Sequence, residues 1–279
     1  MRLLVTLGFL AAVLPFVGML GYGQYGGGVE MKKDERFQWP DGKRVAVSLT
    51  FDDARPSQLE NAIPILDRHG VKATFYVNPQ PLAERAAEWR RVADSGHEIG
   101  NHSATHPCSG NFLWSRDRAL EDQTLETIAA DIDRATREIE ELIGVRTRTF
   151  AYPCGQKFVG RGRHTRSYVP VVAERFLAGR GWLGEGPNDP AFCDPAQLLG
   201  MEFDGLAFAA VNALIEQAAE RGAWLILCGH DVGESGRQTV LGSTLEEVCR
   251  FASDPANGVW IDTVERIAEY VLGTRAELP

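Results

Sequence analysis

Short apolar runs along the chain alternate with longer stretches in which apolar residues return every three or four positions. The run Val45-Ala46-Val47-Ser48-Leu49-Thr50-Phe51 is short and rich in β-branched residues, the pattern of a strand buried within a parallel sheet. Residues 59–69 place Leu59, Ile63 and Leu66 at helical spacing, and Gly70 closes the pattern. A second strand is predicted at 73–77, with further strands near 97–100, 148–152, 180–183, 223–228 and 258–261. Helical patterns fall at 81–94, 121–143, 207–221 and 263–272. The charges of the long 121–143 segment read as a solvated face.

Strand–helix alternation over residues 40–275 predicts parallel strands joined by crossover helices, an α/β domain. About seven such units suit a single barrel better than an open sheet, and barrels of this kind carry their chemistry at the C-terminal ends of the strands. No internal repeat and no second domain interrupts the pattern.

The N-terminal region is patterned differently. Met1 and Arg2 precede an apolar stretch over residues 3–20 that contains Pro15 and ends at Gly21-Tyr22-Gly23. Residues 1–23 therefore read as a secretory signal peptide. The stretch is also close to bilayer-spanning length, so an uncleaved signal anchor stays open. It contains no cysteine, which argues against a lipoprotein anchor. Residues 24–39 read as a linker. The expected location is secreted or periplasmic, with membrane anchoring as the variant.

Composition adds exclusions. The 279 residues are 44% hydrophobic and 24% charged, with a formal net charge of −9. Without a basic stripe there is no footprint for nucleic acid, and no protein partner is implied. The five cysteines, Cys108, Cys154, Cys193, Cys228 and Cys249, form no CxxC pair, so a zinc ribbon or thioredoxin-like motif is absent. Export would permit disulfides and the odd count leaves at least one free thiol, but the sequence does not assign the pairs.

Three motifs stand where strands are predicted to end. Asp52 and Asp53 in Thr50-Phe51-Asp52-Asp53 are adjacent carboxylates, costly to hold together unless a metal or a shared proton relieves their repulsion. His102 and His106 in Asn101-His102-Ser103-Ala104-Thr105-His106-Pro107 stand at i and i+4, which on a helical turn directs both imidazoles at one ion. With one carboxylate they make a two-His, one-carboxylate set that leaves coordination positions open. His230 ends the apolar run Leu225-Ile226-Leu227-Cys228-Gly229, where it can hold a proton for a leaving group. His69, His97 and His164 have no such context.

In these motifs the chain resembles the polysaccharide deacetylase family, which shares the NodB homology domain and forms carbohydrate esterase family 4. TFDD at 50–53, HSATH at 102–106, FAYPCG at 150–155 and LILCGHD at 225–231 resemble the family's first, second, third and fifth motifs, in the family's order. The resemblance spans roughly residues 40–270 and implies a distorted (β/α) barrel with fewer than eight strands. It further implies that Asp53, His102 and His106 bind a divalent metal, usually zinc. Asp52 would then be the general base, His230 the general acid, and the backbone N–H of Cys154 an oxyanion donor. The implied substrate is an N-acetylated polysaccharide or oligosaccharide. An O-acetyl esterase on a decorated glycan and a non-catalytic carbohydrate-binding protein are the alternatives.

Two departures accompany the resemblance. Many members have an Arg after the Phe of the third motif to orient the base, whereas here Ala151 stands there. Arg148 or an Arg of the 161–166 loop is the replacement expected. The fourth motif is not distinct: Gly181-Trp182-Leu183 marks its place, with Asp189 or Asp194 as the carboxylate expected to tune the acid His. Trp114, Tyr152 and Trp182 are candidate sugar-contacting aromatics, with ordinary packing as the plain alternative.

Overall fold

Strand β1 (Val45–Asp52) is buried along its whole length. Val45, Val47, Leu49 and Phe51 join a core that includes Leu66, Ile215 and Leu245 from surrounding helices. The alternate residues Ser48, Thr50 and Asp52 therefore face the other way, into the barrel, because successive strand side chains point to opposite faces. This alternation delivers Asp52 to the interior and leaves Asp53, just past the strand, at the mouth.

A computed structural model describes residues 37–276; the predicted signal segment 1–23 and positions 24–36 of the predicted linker lie outside the described residues. Beyond β1 the strands are β2 (Thr74–Val77), β3 (Glu98–Asn101), β4 (Thr149–Ala151), β5 (Phe158–Val159), β6 (Arg166–Ser167), β7 (Ala178–Arg180), β8 (Met201–Glu202), β9 (Trp224–Gly229), β10 (Asp231–Gly233), β11 (Thr239–Leu241) and β12 (Val259–Ile261). The helices are α1 (Ile63–Arg68), α2 (Pro79–Glu84), α3 (Ala86–Asp94), α4 (Leu125–Ile143), α5 (Val169–Ala173), α6 (Phe208–Arg221), α7 (Gly242–Ser253) and α8 (Val264–Ala276).

Seven parallel strands in the order β7-β4-β3-β2-β1-β9-β8 curl into a distorted barrel, and β12 pairs with the N-terminal half of β1. An isolated bridge between Arg180 and Leu198 joins the end of β7 to the segment that leads into β8. The interior is polar where helices do not reach it. Glu98 accepts hydrogen bonds from Thr74 Oγ1, Thr149 Oγ1 and the N–H of Glu265 in the first turn of α8. Burial pushes the Glu98 carboxyl up to about 7, against those hydrogen bonds. Phe37 and Trp39 pack on α8 through Tyr270, and the Trp39 indole donates to Gly222 O at 2.9 Å.

The single parallel α/β domain and its seven-strand barrel agree with the sequence pattern. Differences lie in weakly patterned segments. The helix predicted at 81–94 is broken at Arg85, whose φ of −133° and ψ of 35° separate α2 from α3. The strand predicted at 180–183 lies earlier, at Ala178–Arg180, because the chain leaves the sheet at Gly181. Helix α7 joins the elements predicted above; its buried Leu245, Val248, Cys249 and Ala252 have helical spacing, but no side-chain cap marks its start.

Candidate active site

The first strand ends in a tight turn. Asp53 and Ala54 both adopt left-handed backbone angles, φ 77° and 52°, and the Asp53 N–H donates to Tyr76 O at 3.0 Å. Non-glycine residues rarely hold this conformation, and its cost of about 1–3 kcal/mol is typical of functional turns. Here it separates two adjacent carboxylates, one directed into the barrel and one at the mouth.

His102 and His106 converge on Asp53, though not on a helical turn. Ser103 and His106 have φ of 63° and 49°, so the segment is an irregular loop. Side chains from neighbouring elements take up its backbone groups. Asn78 Nδ2 donates to the carbonyls of His102 and Ser103, and Asp131 of α4 accepts from the N–H groups of Ala104 and Thr105. His102 Nε2 and His106 Nε2 lie 3.6 and 3.5 Å from Asp53 Oδ1. The potential ligand atoms of this trio all lie within 4.8 Å of one another.

The donor set fits a divalent cation. His102 Nδ1 is 2.9 Å from Ala151 O, which can only accept, so Nδ1 carries the proton and Nε2 presents its lone pair. Burial and the neighbouring His102 hold the His106 imidazole down at about 4, neutral as a ligand must be. Burial opposes ionisation of Asp53, but His102, His106 and Arg55 outweigh it and hold the carboxyl at about 2. Arg55 also donates to Asp231 Oδ2 at 2.7 Å.

Asp52 sits beside this trio, its Oδ2 3.9 Å from His102 Nε2. Arg180 Nη2 donates to Asp52 Oδ1, and the guanidinium lies 4.8 Å over the Tyr76 ring. Arg180 is fully buried and pairs in register with Ala151, so the strand next to the third motif supplies the missing cation. The sequence-based candidates are elsewhere. Arg148 bonds Glu265 and Glu269 at the surface, and Arg161 bonds Asp122, also at the surface.

His230 is held by Asp204, not by Asp189 or Asp194. Asp204 Oδ2 is 2.6 Å from His230 Nδ1, and its Oδ1 accepts the His230 N–H at 3.0 Å. Burial pulls the imidazole pKa down, but the Asp204 hydrogen bond and the charge of Asp52 outweigh it and leave the value raised. Asp189 and Asp194 instead accept from the N–H groups of Ala191 and Ala196 in local turns. Gln58 Nε2 donates to the carbonyls of both Asp52 and His230, tying the two strand ends together.

Cys154 occupies the turn after β4 with φ 53°, and its N–H has no acceptor among the described residues. It is joined to Cys108 by a disulfide, with Cα atoms 6.1 Å apart. Cys193, Cys228 and Cys249 are free. Asp52, Asp53, His106, Cys154 and His230 all line one pocket of about 630 Å³.

The predicted aromatics divide. Trp114 is half-exposed in the pocket wall, 5.8 Å from the His106 ring and stacked on Phe112. Trp182 also lines the pocket and meets His230 edge-on at 5.2 Å. Tyr152 does not face it: the ring is buried and its hydroxyl donates to Ala196 O at 2.8 Å. It is a core residue.

Residues 40–167 match the polysaccharide deacetylase family. A peptidoglycan-N-acetylglucosamine deacetylase of Bacillus cereus is 37% identical over 100 residues, which is 28% of this chain and 34% of that protein. The peptidoglycan-N-acetylmuramic acid deacetylase PdaA of Bacillus subtilis is 25% identical over 124 residues, 44% of this chain and 43% of PdaA. The chain thus spans well under two thirds of the length of these relatives. A solved Mycobacterium smegmatis structure aligns with a TM-score of 0.64 at 18% identity, over 86% of this chain and 94% of that one, and so shares its fold. Over residues 40–167 the chain is thus similar to the polysaccharide deacetylase family.

Proposed function

We propose that this protein is a divalent-metal-dependent hydrolase that removes N-acetyl groups from an amino-sugar polymer or oligomer. The observation that carries the reading is the meeting of Asp53 and His106, backed by the buried His102, with Asp52, His230 and the unpaired Cys154 N–H around one pocket. Two imidazoles and a carboxylate suit zinc. When bound there, a divalent ion supplies Lewis acidity, easing loss of a proton from water and polarising the acetyl carbonyl.

The remaining chemistry belongs to the chain. Asp52, held by Arg180, takes the proton of the attacking water. The Cys154 N–H donates to the oxygen that gains negative charge as the carbonyl carbon becomes tetrahedral. Protonated His230, supported by Asp204, gives its proton to the departing amine nitrogen, which leaves only when protonated. Acetate and a free amino sugar result. The exposed Phe112 and Trp114 supply a wall on which a sugar ring can stack. An oxidising location outside the cytoplasm suits the Cys108–Cys154 bond.

The test is acetate release from N-acetylglucosamine oligomers and from O-acetylated xylan, using full chain stripped of metal and then restored with zinc. Zinc-dependent acetate from the amino-sugar oligomers is the expected result. Release from xylan alone would replace the reading with an O-acetyl esterase.

A further inference from the structure

The Cys108–Cys154 disulfide joins the two loops that the reaction needs in register. Cys108 lies two residues beyond His106, and Cys154 carries the unpaired N–H. The bond spans 46 residues of sequence and is the one disulfide among the described residues. We propose that it is a positioning crosslink that sets the Cys154 N–H against the cation site. The catalytic half of this inference rests on the deacetylase reading above.

The geometry shows what the bond restrains. Within its own loop, Cys108 is fixed by its N–H to Ser115 Oγ at 2.9 Å and by the Leu120 N–H to its carbonyl at 3.0 Å. The turn at Cys154 closes on two backbone hydrogen bonds, Gly155 N–H to Tyr152 O at 2.8 Å and Gln156 N–H to Pro153 O at 3.0 Å, and neither engages the Cys154 N–H. Cys154 and Gly155 both hold left-handed angles, φ 53° and 67°, and only the second is a glycine. A side chain in that conformation relaxes unless its surroundings hold it. On one side the turn abuts Trp182, since a Cβ on Gly155 would fall 2.8 Å from the Trp182 nitrogen. On the other side lie the disulfide and a hydrogen bond from Ser109 N–H to Gln156 Oε1 at 2.7 Å.

The same sulfur backs the candidate metal ligand. Cys108 Sγ is 3.8 Å from His106 Nδ1, while His106 Nε2 faces Asp53. Two thiols cannot remain at bonding distance. In a site where Cys108 is fully buried, separating them displaces one of the loops. His106 in the Cys108 loop is left-handed as well, but side chains of Asn78, Asp131 and Ser115 hold that loop, so the Cys154 turn yields and its N–H rotates away from the pocket.

A water-soluble phosphine performs the cleavage cleanly. Phosphorus attacks one sulfur and the S–S bond breaks. Water then delivers its oxygen to phosphorus, so the phosphine is oxidised by two electrons and two thiols form. The full chain is compared oxidised, phosphine-reduced and reoxidised, alongside the Cys108→Ser/Cys154→Ser double variant. Mass spectrometry after alkylation confirms two new thiols.

Reduction is expected to lower kcat at least ~10-fold with KM within about twofold, since complete loss of an oxyanion donor costs about 10²–10³. Reoxidation restores the wild type and not the variant. Amide hydrogen exchange is expected to rise at 153–157 in both cleaved forms. A lower melting temperature with unchanged kcat and unchanged exchange at 153–157 would mean a merely structural bond and would overturn the proposal. If the oxidised protein releases no acetate, the deacetylase reading fails separately, and the exchange at 153–157 still decides whether the bond holds the turn.

Discussion

Arg180→Met isolates the interaction that makes a buried carboxylate tolerable at the centre of this barrel. The Arg180 side chain is 0% exposed and Asp52 only 6%. Methionine fills much of the arginine stem but leaves Asp52 without its cation. Removing one member of a buried ion pair costs about 3–5 kcal/mol, because the remaining charge keeps its desolvation penalty and loses its partner. Loss of the stack on Tyr76 adds to this. For a domain of this size each kcal/mol lowers Tm by about 2–4 °C, so a fall of roughly 6–20 °C is expected. Urea denaturation without added metal measures the free energy. The Asp52→Asn/Arg180→Met double variant should lose much less than the sum of the single variants, since neither charge is then stranded. A cost below about 1 kcal/mol for Arg180→Met, additive with Asp52→Asn, would refute the claim that the two are energetically coupled.

Three further outcomes follow from the same geometry. Asp204→Asn removes the negative charge and one of the two acceptor oxygens that hold the His230 pKa up against burial, so the acid deprotonates at lower pH. The alkaline limb of kcat/KM should move down in pH, with His230 resonances in an NMR titration moving the same way; an unmoved limb would count against His230 as the acid. Tyr152→Phe should cost about 1 kcal/mol of stability through the lost bond to Ala196 O and leave KM unchanged. A raised KM would return Tyr152 to the substrate site. His102→Ala should weaken zinc binding on the order of 100-fold or more by calorimetry, and binding at wild-type strength would remove His102 from the ligand set.

The residues whose placement is legible in the sequence share one property: each stands in a local pattern. β1 is an apolar run that ends at Asp52 with Asp53 next in the chain, and β9 is one that ends at Gly229, just before His230. His102 and His106 are close in sequence, so their convergence survives although the loop that carries them is not helical. Arg180 and Asp204 were not legible, because their partners are 128 and 26 residues away and the sheet order alone brings them together. Both lie at or just beyond strands of two or three residues, too short to carry a periodic signal. A clue for Arg180 did exist. Ala151 leaves the base-orienting charge missing, and Arg180 closes the strand that pairs with β4, between Gly179 and Gly181. Tyr152 misled for the opposite reason: it stands inside a motif, but its ring turns into the core behind β4.

Zinc binding and turnover, measured together on wild type and Asp52→Asn, separate the metal site from the base. Wild type is expected to bind one zinc and to release acetate from N-acetylglucosamine oligomers only when loaded. Asp52→Asn is expected to keep the zinc and lose nearly all turnover. Undiminished acetate release from the zinc-loaded variant would contradict Asp52 as the base, and release from metal-free wild type would contradict the metal-dependent mechanism itself.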